Sequence, residues 1–295
     1  MCVNGCSSRR ERGFRVKRTE TYVEGGNERA TQKCAVYVCP ISVYYGHMDK
    51  QATRGTEHPL SQLQNEAYKV FTDLGFEVAT GPELETEWYC FDALNMPKDH
   101  PSRDMQDTFW IKMSGDEIEK AQSGERSSRP VMRTQATAST VRALEKAQKE
   151  SRIPCAFITI GKTFRNEATD ATHEAQFHQI DGSMVGENIT MGDLKGVLLH
   201  FYKKMLGEEV EIQFRPSYFP FVEPALEVFI LFRGRLLEVM GAGMIHPVVL
   251  KNAGLDPEKV QGFAFGGGLD RIAMVKWGIT DIRYLYQGDL RLNQF

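Results

Sequence analysis

From His58 onward the chain carries a regular code of apolar and polar positions. Pro59 opens a run in which Leu60, Leu63, Ala67, Val70, Phe71 and Leu74 recur at helical spacing, and Gly75 stops it. That pattern predicts a helix with one face against a core. Residues 76–78 read as a strand leading into Gly81-Pro82. Thr190 and Asp193 form a start of the capping-box kind. Behind it Leu194, Val197, Leu198, Phe201, Tyr202 and Met205 make an apolar stripe that ends at Gly207. Strands are predicted around 212–215, 225–231, 236–240 and 262–265, with a short helix from Pro247 to Asn252 and another after the glycines at 266–268. Residues 114–129 are polar and weakly patterned, which predicts a hairpin or loop. Many strands joined by short turns, with helices between some of them, predict an α+β fold built on an antiparallel sheet. The chain has neither a Walker sequence nor a βαβ dinucleotide fingerprint, so any nucleotide must be held in another way.

Residues 161–182, GKTFRNEATDATHEAQFHQIDG, read as a strand ending, a polar loop and a second strand. In the second strand Phe177, Gln179 and Asp181 share one face, while His178 and Ile180 take the other. An aromatic, an amide and a carboxylate on one face do not make a core. They suit a site that stacks a ring and binds a cation, and His178 on the opposite face is expected to be structural. The loop adds Arg165, Glu167 and His173, which suit phosphates and base edges. Farther on, GFAFGGGLDR (262–271) places three glycines before a helix with Arg271 in its first turn. Glycines there allow close backbone approach, and a helix start favours anions.

These two segments resemble motifs 2 and 3 of the class II aminoacyl-tRNA synthetases. Further blocks narrow the resemblance to the α subunits of bacterial phenylalanyl-tRNA synthetases: GTEHPLSQ, GFEVATGPELETEWYCFDALNMPKDHPSRDMQDTFW, MRTQATAST, FRPSYFPFVEP, LLEVMGAGMIHP and GDLRLNQF, in the family's order. The resemblance covers roughly 55–295 and implies a catalytic domain at 56–295, a six-stranded antiparallel sheet flanked by helices. It implies activation of phenylalanine by ATP, then transfer to the 3′ end of tRNA(Phe). In that reaction a carboxylate attacks the α-phosphorus, so positioning and charge neutralisation carry the rate.

By the same resemblance Arg165 bridges the amino-acid carboxylate and the α-phosphate, and with His173 and Arg271 makes the catalytic set. Glu167 reads the adenine amino group, His173 meets the outer phosphates, and Phe177 stacks on adenine. Arg271 closes the stack from the opposite face, and Glu238 approaches the nucleotide. Gln179, Asp181, Gln135 and Thr137 serve the substrate's α-ammonium; Asp181 stands where the family usually has glutamate, as does Asp270 before Arg271. Phe219 and Phe221 clamp the phenylalanine ring edge-to-face, with Val222, Ala264 and Gly266 lining the rest of that pocket. Glu223 is the implied ligand of a Mg²⁺ ion whose site a partner subunit completes. The implied partner is the larger β subunit, in an (αβ)₂ heterotetramer. Two other readings remain at this point: a related enzyme charging phosphoserine or pyrrolysine, and a synthetase-like amino-acid sensor or RNA-binding regulator without ligase activity.

Composition adds limits. With 295 residues and 41% hydrophobic content the chain can bury a sizeable core. A formal charge of −3 gives no general field for nucleic acid, so contact with tRNA must be local or made by a partner. No apolar run reaches membrane-spanning length and no secretory signal opens the chain, which points to the cytoplasm. Residues 1–55 lack the apolar heptads of the family's coiled-coil arm and read as an atypical, disordered leader. Cys2, Cys6, Cys34 and Cys39 within it are too loosely spaced for a zinc knuckle.

Overall fold

The computed structural model describes residues 56–104, 107–232, 234–289 and 292. The expectations for the leader, its cysteines and the coiled-coil arm lie outside the described residues. The unit that runs from Arg54 to Phe295 begins with helix α1 (Pro59–Asp73). His58 caps it through Nδ1, which accepts the Leu60 N–H at 3.2 Å, and Pro59 occupies the first turn, where a missing N–H costs nothing. Leu60, Leu63, Ala67 and Phe71 form its buried stripe, as the periodicity predicts.

Strand β1 (Glu77–Val78) leads to a small two-stranded sheet of β2 (Leu84–Thr86) and β3 (Pro130–Met132), with α2 (Glu87–Cys90) and α3 (Gly115–Gln122) between them. The polar stretch 114–129, expected to be a loop or hairpin, therefore holds a helix. Ser114 and Glu117 close a reciprocal capping box on it, but none of its residues is buried. Without an apolar face it leaves no periodic trace in the sequence.

Helix α4 (Thr137–Lys149) follows, then the long strands β4 (Cys155–Phe164) and β5 (Gln176–Gly186) and helix α5 (Met191–Leu206). Strands β6 (Glu211–Phe219), β7 (Val222–Phe232) and β8 (Arg235–Ile245) form a meander, then come α6 (Pro247–Asn252), β9 (Gln261–Gly268) and α7 (Leu269–Trp277). Among the described residues the main sheet has seven strands in the order β1-β4-β5-β9-β8-β7-β6. Six of them, β4 to β9, are antiparallel; the seventh, β1, pairs parallel to β4 through two residues only. That short addition corrects the expected count of six and leaves the antiparallel platform intact.

The two faces of the sheet differ. On one, α1, α5 and α7 cover Ile158, Ile180, Phe263 and Phe265, with Phe71 stacked 5.3 Å from Phe265. On the other, α4 and α6 pack over Phe157, Val185 and Ala264. This second layer stops short. Beyond the first turn of α4 the sheet face is open, and that gap becomes a cavity.

Candidate active site

A cavity of about 790 Å³ opens on this half-covered face. The period of β5 aims Phe177, Gln179 and Asp181 into it, while Ile180 is in the core of the opposite face. Strand pairing sets Asp181 against Gly266 and Ser183 against Ala264, so two small residues face the polar row. A Cβ on Gly266 would come 2.9 Å from Asp181 Oδ2 and 3.2 Å from Gln179 Nε2, closing the approach to both.

Helix α4 supplies the partners of that row. Thr137 Oγ1 donates to Asp181 Oδ2 at 2.6 Å, and Thr140 Oγ1 donates to Oδ1 at 2.7 Å. The Ala136 N–H, at the helix start, donates to Gln179 Oε1 at 2.9 Å, which fixes the amide so that Nε2 is left as a donor. Gln135 is tied back, its Nε2 donating to the Cys90 carbonyl at 3.1 Å. Asp181 is only 2% exposed. Burial pushes its carboxyl up to about 6, against the two threonine hydroxyls and the charge of Arg133, which favour the ionised form. A buried carboxylate held by two hydroxyls, and in no ion pair among the described residues, is a receptor for a cation.

Phe219 and Phe221 stand beside this group with ring centroids 5.8 Å apart and planes within 17°. They leave β6 and enter β7 at a bulged corner, so both rings turn to the cavity. Val222, Ala264 and Gly266 complete an apolar wall there.

The other end is built differently. Arg165 extends β4, with its Nε donating to the Thr134 carbonyl at 3.3 Å and its guanidinium 5.1 Å from the Phe177 ring centroid. Burial lowers its pKa, Glu167 and Asp107 raise it, and an arginine stays cationic throughout. Glu167 lies 3.9 Å from Arg165 Nη1. His173 is held by the loop, its Nδ1 3.1 Å from the Asp170 carboxylate. Bonds from the Thr172 N–H, His173 and the Thr172 hydroxyl hold the Asp170 carboxyl well below the usual range. Arg271 Nη1 reaches back to the Glu238 carbonyl at 3.0 Å, and both residues line the cavity. Arg165 thus lies over the Phe177 ring, and Arg271 lines the cavity beside Glu238.

Every residue expected in the site lines this one cavity except Glu223. Glu223 points away, its side chain 76% exposed and its oxygen 3.6 Å from His246 Nε2. No three His, Cys, Asp or Glu side chains gather to hold a metal among the described residues. Glu223, expected to share its Mg²⁺ with a partner subunit, thus lies outside this cavity.

A family model, the class II core domain (F) of tRNA synthetases, matches residues 43–295, most of the chain. The chain belongs to the class II tRNA synthetases. It is therefore a ligase. Among curated proteins it is 45% identical over 259 residues to the phenylalanine–tRNA ligase alpha subunit of Moorella thermoacetica, covering 83% of this chain and 71% of that one. The protein of the same name from Natranaerobius thermophilus is 44% identical over 82% of this chain and 70% of its own. That from Streptococcus thermophilus is 44% identical over 83% and 70%. No described helix is long and apolar enough to cross a membrane.

Within this synthetase site, sequence reasoning missed Thr140 and Ala136. The signal for Thr140 was present: Thr137 and Thr140 are three apart and share a helix face once 137–149 is known to be helical. The main-chain N–H of Ala136 left no signal, because backbone donors carry none.

Proposed function

We propose that this chain activates phenylalanine with ATP, forming phenylalanyl-adenylate, and passes the phenylalanyl group to the 3′ end of tRNA(Phe) as the catalytic α subunit of a phenylalanine–tRNA ligase. The observation that carries the reading is the pair of parallel phenylalanine rings, Phe219 and Phe221, set beside the buried Asp181 carboxylate. A free amino acid with an aromatic side chain offers an ammonium for the second and a ring for the first.

On this reading Asp181 and the second lone pair of Gln179 Oε1 bind the ammonium, while Gln179 Nε2 faces the substrate carboxylate. The substrate ring enters between Phe219, Phe221 and the wall of Val222, Ala264 and Gly266. A phosphorylated side chain would find no extra cation there, which disfavours a phosphoserine substrate. Arg165 lies between the two halves of the cavity. Its planar fork can neutralise charge on the attacking carboxylate and the α-phosphate together. Phe177 stacks the adenine from one side and Arg271 from the other, Glu167 accepts from its amino group, and His173 meets the outer phosphates.

Mg²⁺ enters with ATP on this reading: the described residues gather no ligand cage, so phosphate and water oxygens would supply most of its coordination, with Glu238 among the carboxylates that line the cavity. Glu223, exposed outside the cavity, is read instead as a residue of the interface with a β subunit, in an (αβ)₂ assembly. Residues 56–295 form the catalytic domain.

The test is ATP–pyrophosphate exchange by the chain co-expressed with its β subunit. Exchange that depends on phenylalanine and ignores tyrosine, serine and phosphoserine supports the reading. The tyrosine hydroxyl would be left unpaired against apolar atoms, so equal exchange with tyrosine would sink the pocket assignment. No exchange with any amino acid would leave a synthetase fold used as a sensor.

A further inference from the structure

At the floor of the nucleotide end, three polar side chains close a hydrogen-bonded ring that the reading above does not use. The Tyr286 hydroxyl donates to Asp270 Oδ1, and Asp270 Oδ2 accepts the main-chain N–H of His178 at 2.6 Å. His178 Nδ1 lies 3.0 Å from the Tyr286 oxygen, with the two rings nearly parallel. Asp270 is 1% exposed, while His178 and Tyr286 are half-buried around it.

The proton count fixes the direction of the circuit. A phenol has one proton, and the carboxylate takes it. The remaining contact then needs His178 Nδ1 to carry a proton and donate it to the phenol oxygen. His178 is thus the Nδ1–H tautomer, selected by Tyr286 rather than by solvent.

What the circuit joins is more telling than what holds it. Asp270 immediately precedes Arg271 in the first turn of α7. His178 immediately follows Phe177 on β5. Tyr286 ends the short turn 282–285, whose Ile282 N–H donates to the Ala171 carbonyl in the loop that carries His173. Three segments converge on the nucleotide: the strand of Phe177, the helix start of Arg271 and the loop of His173. Each lies one or two residues from a member of the ring or from its tether. His178 and Tyr286 do not line the cavity, so neither can touch the substrate.

We propose that Asp270, His178 and Tyr286 are positioning residues for ATP, and that the Tyr286 hydroxyl sets the distance between the Phe177 strand and the Arg271 helix start. The proposal rests on the assignment of this end of the cavity to ATP. Its chemistry is geometric: a nucleotide gripped from two segments loses affinity when the spacing of those segments relaxes. The amino-acid end shares β5 with His178 but is held separately by α4, through the bonds of Ala136, Thr137 and Thr140 to Gln179 and Asp181.

The test compares four variants of the chain assembled with its β subunit. Tyr286→Phe keeps the ring and removes the hydroxyl. His178→Asn keeps a donor where Nδ1 stands, whereas His178→Gln places it one bond farther out. Asp270→Asn removes the charge. Expected for Tyr286→Phe, Asp270→Asn and His178→Gln is an increase of about tenfold in the KM for ATP, the loss of one bond to a charged network, with phenylalanine KM unchanged within about twofold. His178→Asn should stay near wild type. A fall in melting temperature in all four with ATP KM unmoved would make the ring a structural tie only and overturn the proposal, as would equal loss for both substrates.

Stabilisation against melting by ATP and Mg²⁺ alone gives a second readout that needs no phenylalanine activation. If the wild type fails to exchange pyrophosphate, the functional reading falls. The circuit is then judged by this shift: smaller in Tyr286→Phe it stands, equal to wild type it is wrong.

Discussion

The two ends of the cavity are made from the same kinds of residue and are held in opposite ways. At the amino-acid end Asp181 and Gln179 are buried, and their oxygens are met by Thr137, Thr140 and the Ala136 N–H before any substrate arrives. At the nucleotide end Glu167 and His173 are about one-third and one-half exposed, on a loop whose bonds are largely to itself. The difference follows from what each end must do. Phenylalanine is small and has close competitors, so selection requires a rigid shape whose ordering cost is already met. ATP is large, strongly charged and unlike its competitors, and its phosphates can order exposed side chains as they bind. Rigidity is placed where discrimination is hard.

The comparison breaks most visibly at Arg165, which serves both ends. Arg165→Ala should cost about 2.7–4 kcal/mol in activation, comparable with removal of a preorganised donor, with little change in phenylalanine KM. Pyrophosphate exchange at near wild-type rate in this variant would remove Arg165 from its role. Asp181→Asn should come next. Loss of one charged hydrogen bond, about 1.5–3 kcal/mol, should appear in phenylalanine KM and leave ATP KM alone.

The same residue gives a pH signature. Phenylalanine kcat/KM should fall as pH drops through about 6, where Asp181 takes up its proton, and the Asn variant should lack that limb. Stability moves the other way. The folded-state value, about 6, lies above the ordinary 3.8, so the native chain holds the extra proton between those values and loses stability as pH rises through the window. Denaturant unfolding of the unliganded chain at pH 4.5 and 6.5 should show a smaller change in the Asn variant than in wild type.

Gly241→Ala should have a smaller effect, at the apolar wall. The added Cβ would sit 2.9 Å from Phe219 Cζ and 3.0 Å from Cε2, so the ring must move. Overpacking of this kind costs about 1–3 kcal/mol, expected mainly in phenylalanine KM. An unchanged KM would show that Phe219 is not fixed by β8. The smallest effect is expected from Glu223→Gln. With its side chain turned to solvent, activation by the assembled complex should stay within about twofold, and any change should appear in the yield of complex with the β subunit. A large loss of kcat in an assembled complex would return Glu223 to the metal site.

Much of the site was legible because it is written in strand register and short motifs. The alternation of Phe177, Gln179 and Asp181 names a face before any fold is known, and the structure turns that face to the cavity. Helix α1 and the capped start of α5 were readable for a similar reason: an apolar stripe and a cap are local signals. Helix α3 was not, because a helix with no buried residue leaves no periodicity. The strand at 76–78 was readable, but its place as a seventh strand of the main sheet was not, since its parallel partner lies about eighty positions away.

What the sequence determined by itself is the list of groups and the faces they share, since side-chain direction along one strand or helix follows from backbone periodicity. What only the tertiary structure decided is which of those faces meet and which stay apart. Thr140 became a partner of Asp181, and Tyr286 of Asp270 and His178, through contacts between distant elements. Glu223, two positions after Phe221, was turned out of the cavity at the β6–β7 corner by the register shift that follows Val222. Register across a bulge depends on both strands and on the layer packed against them, and no single stretch of sequence encodes it.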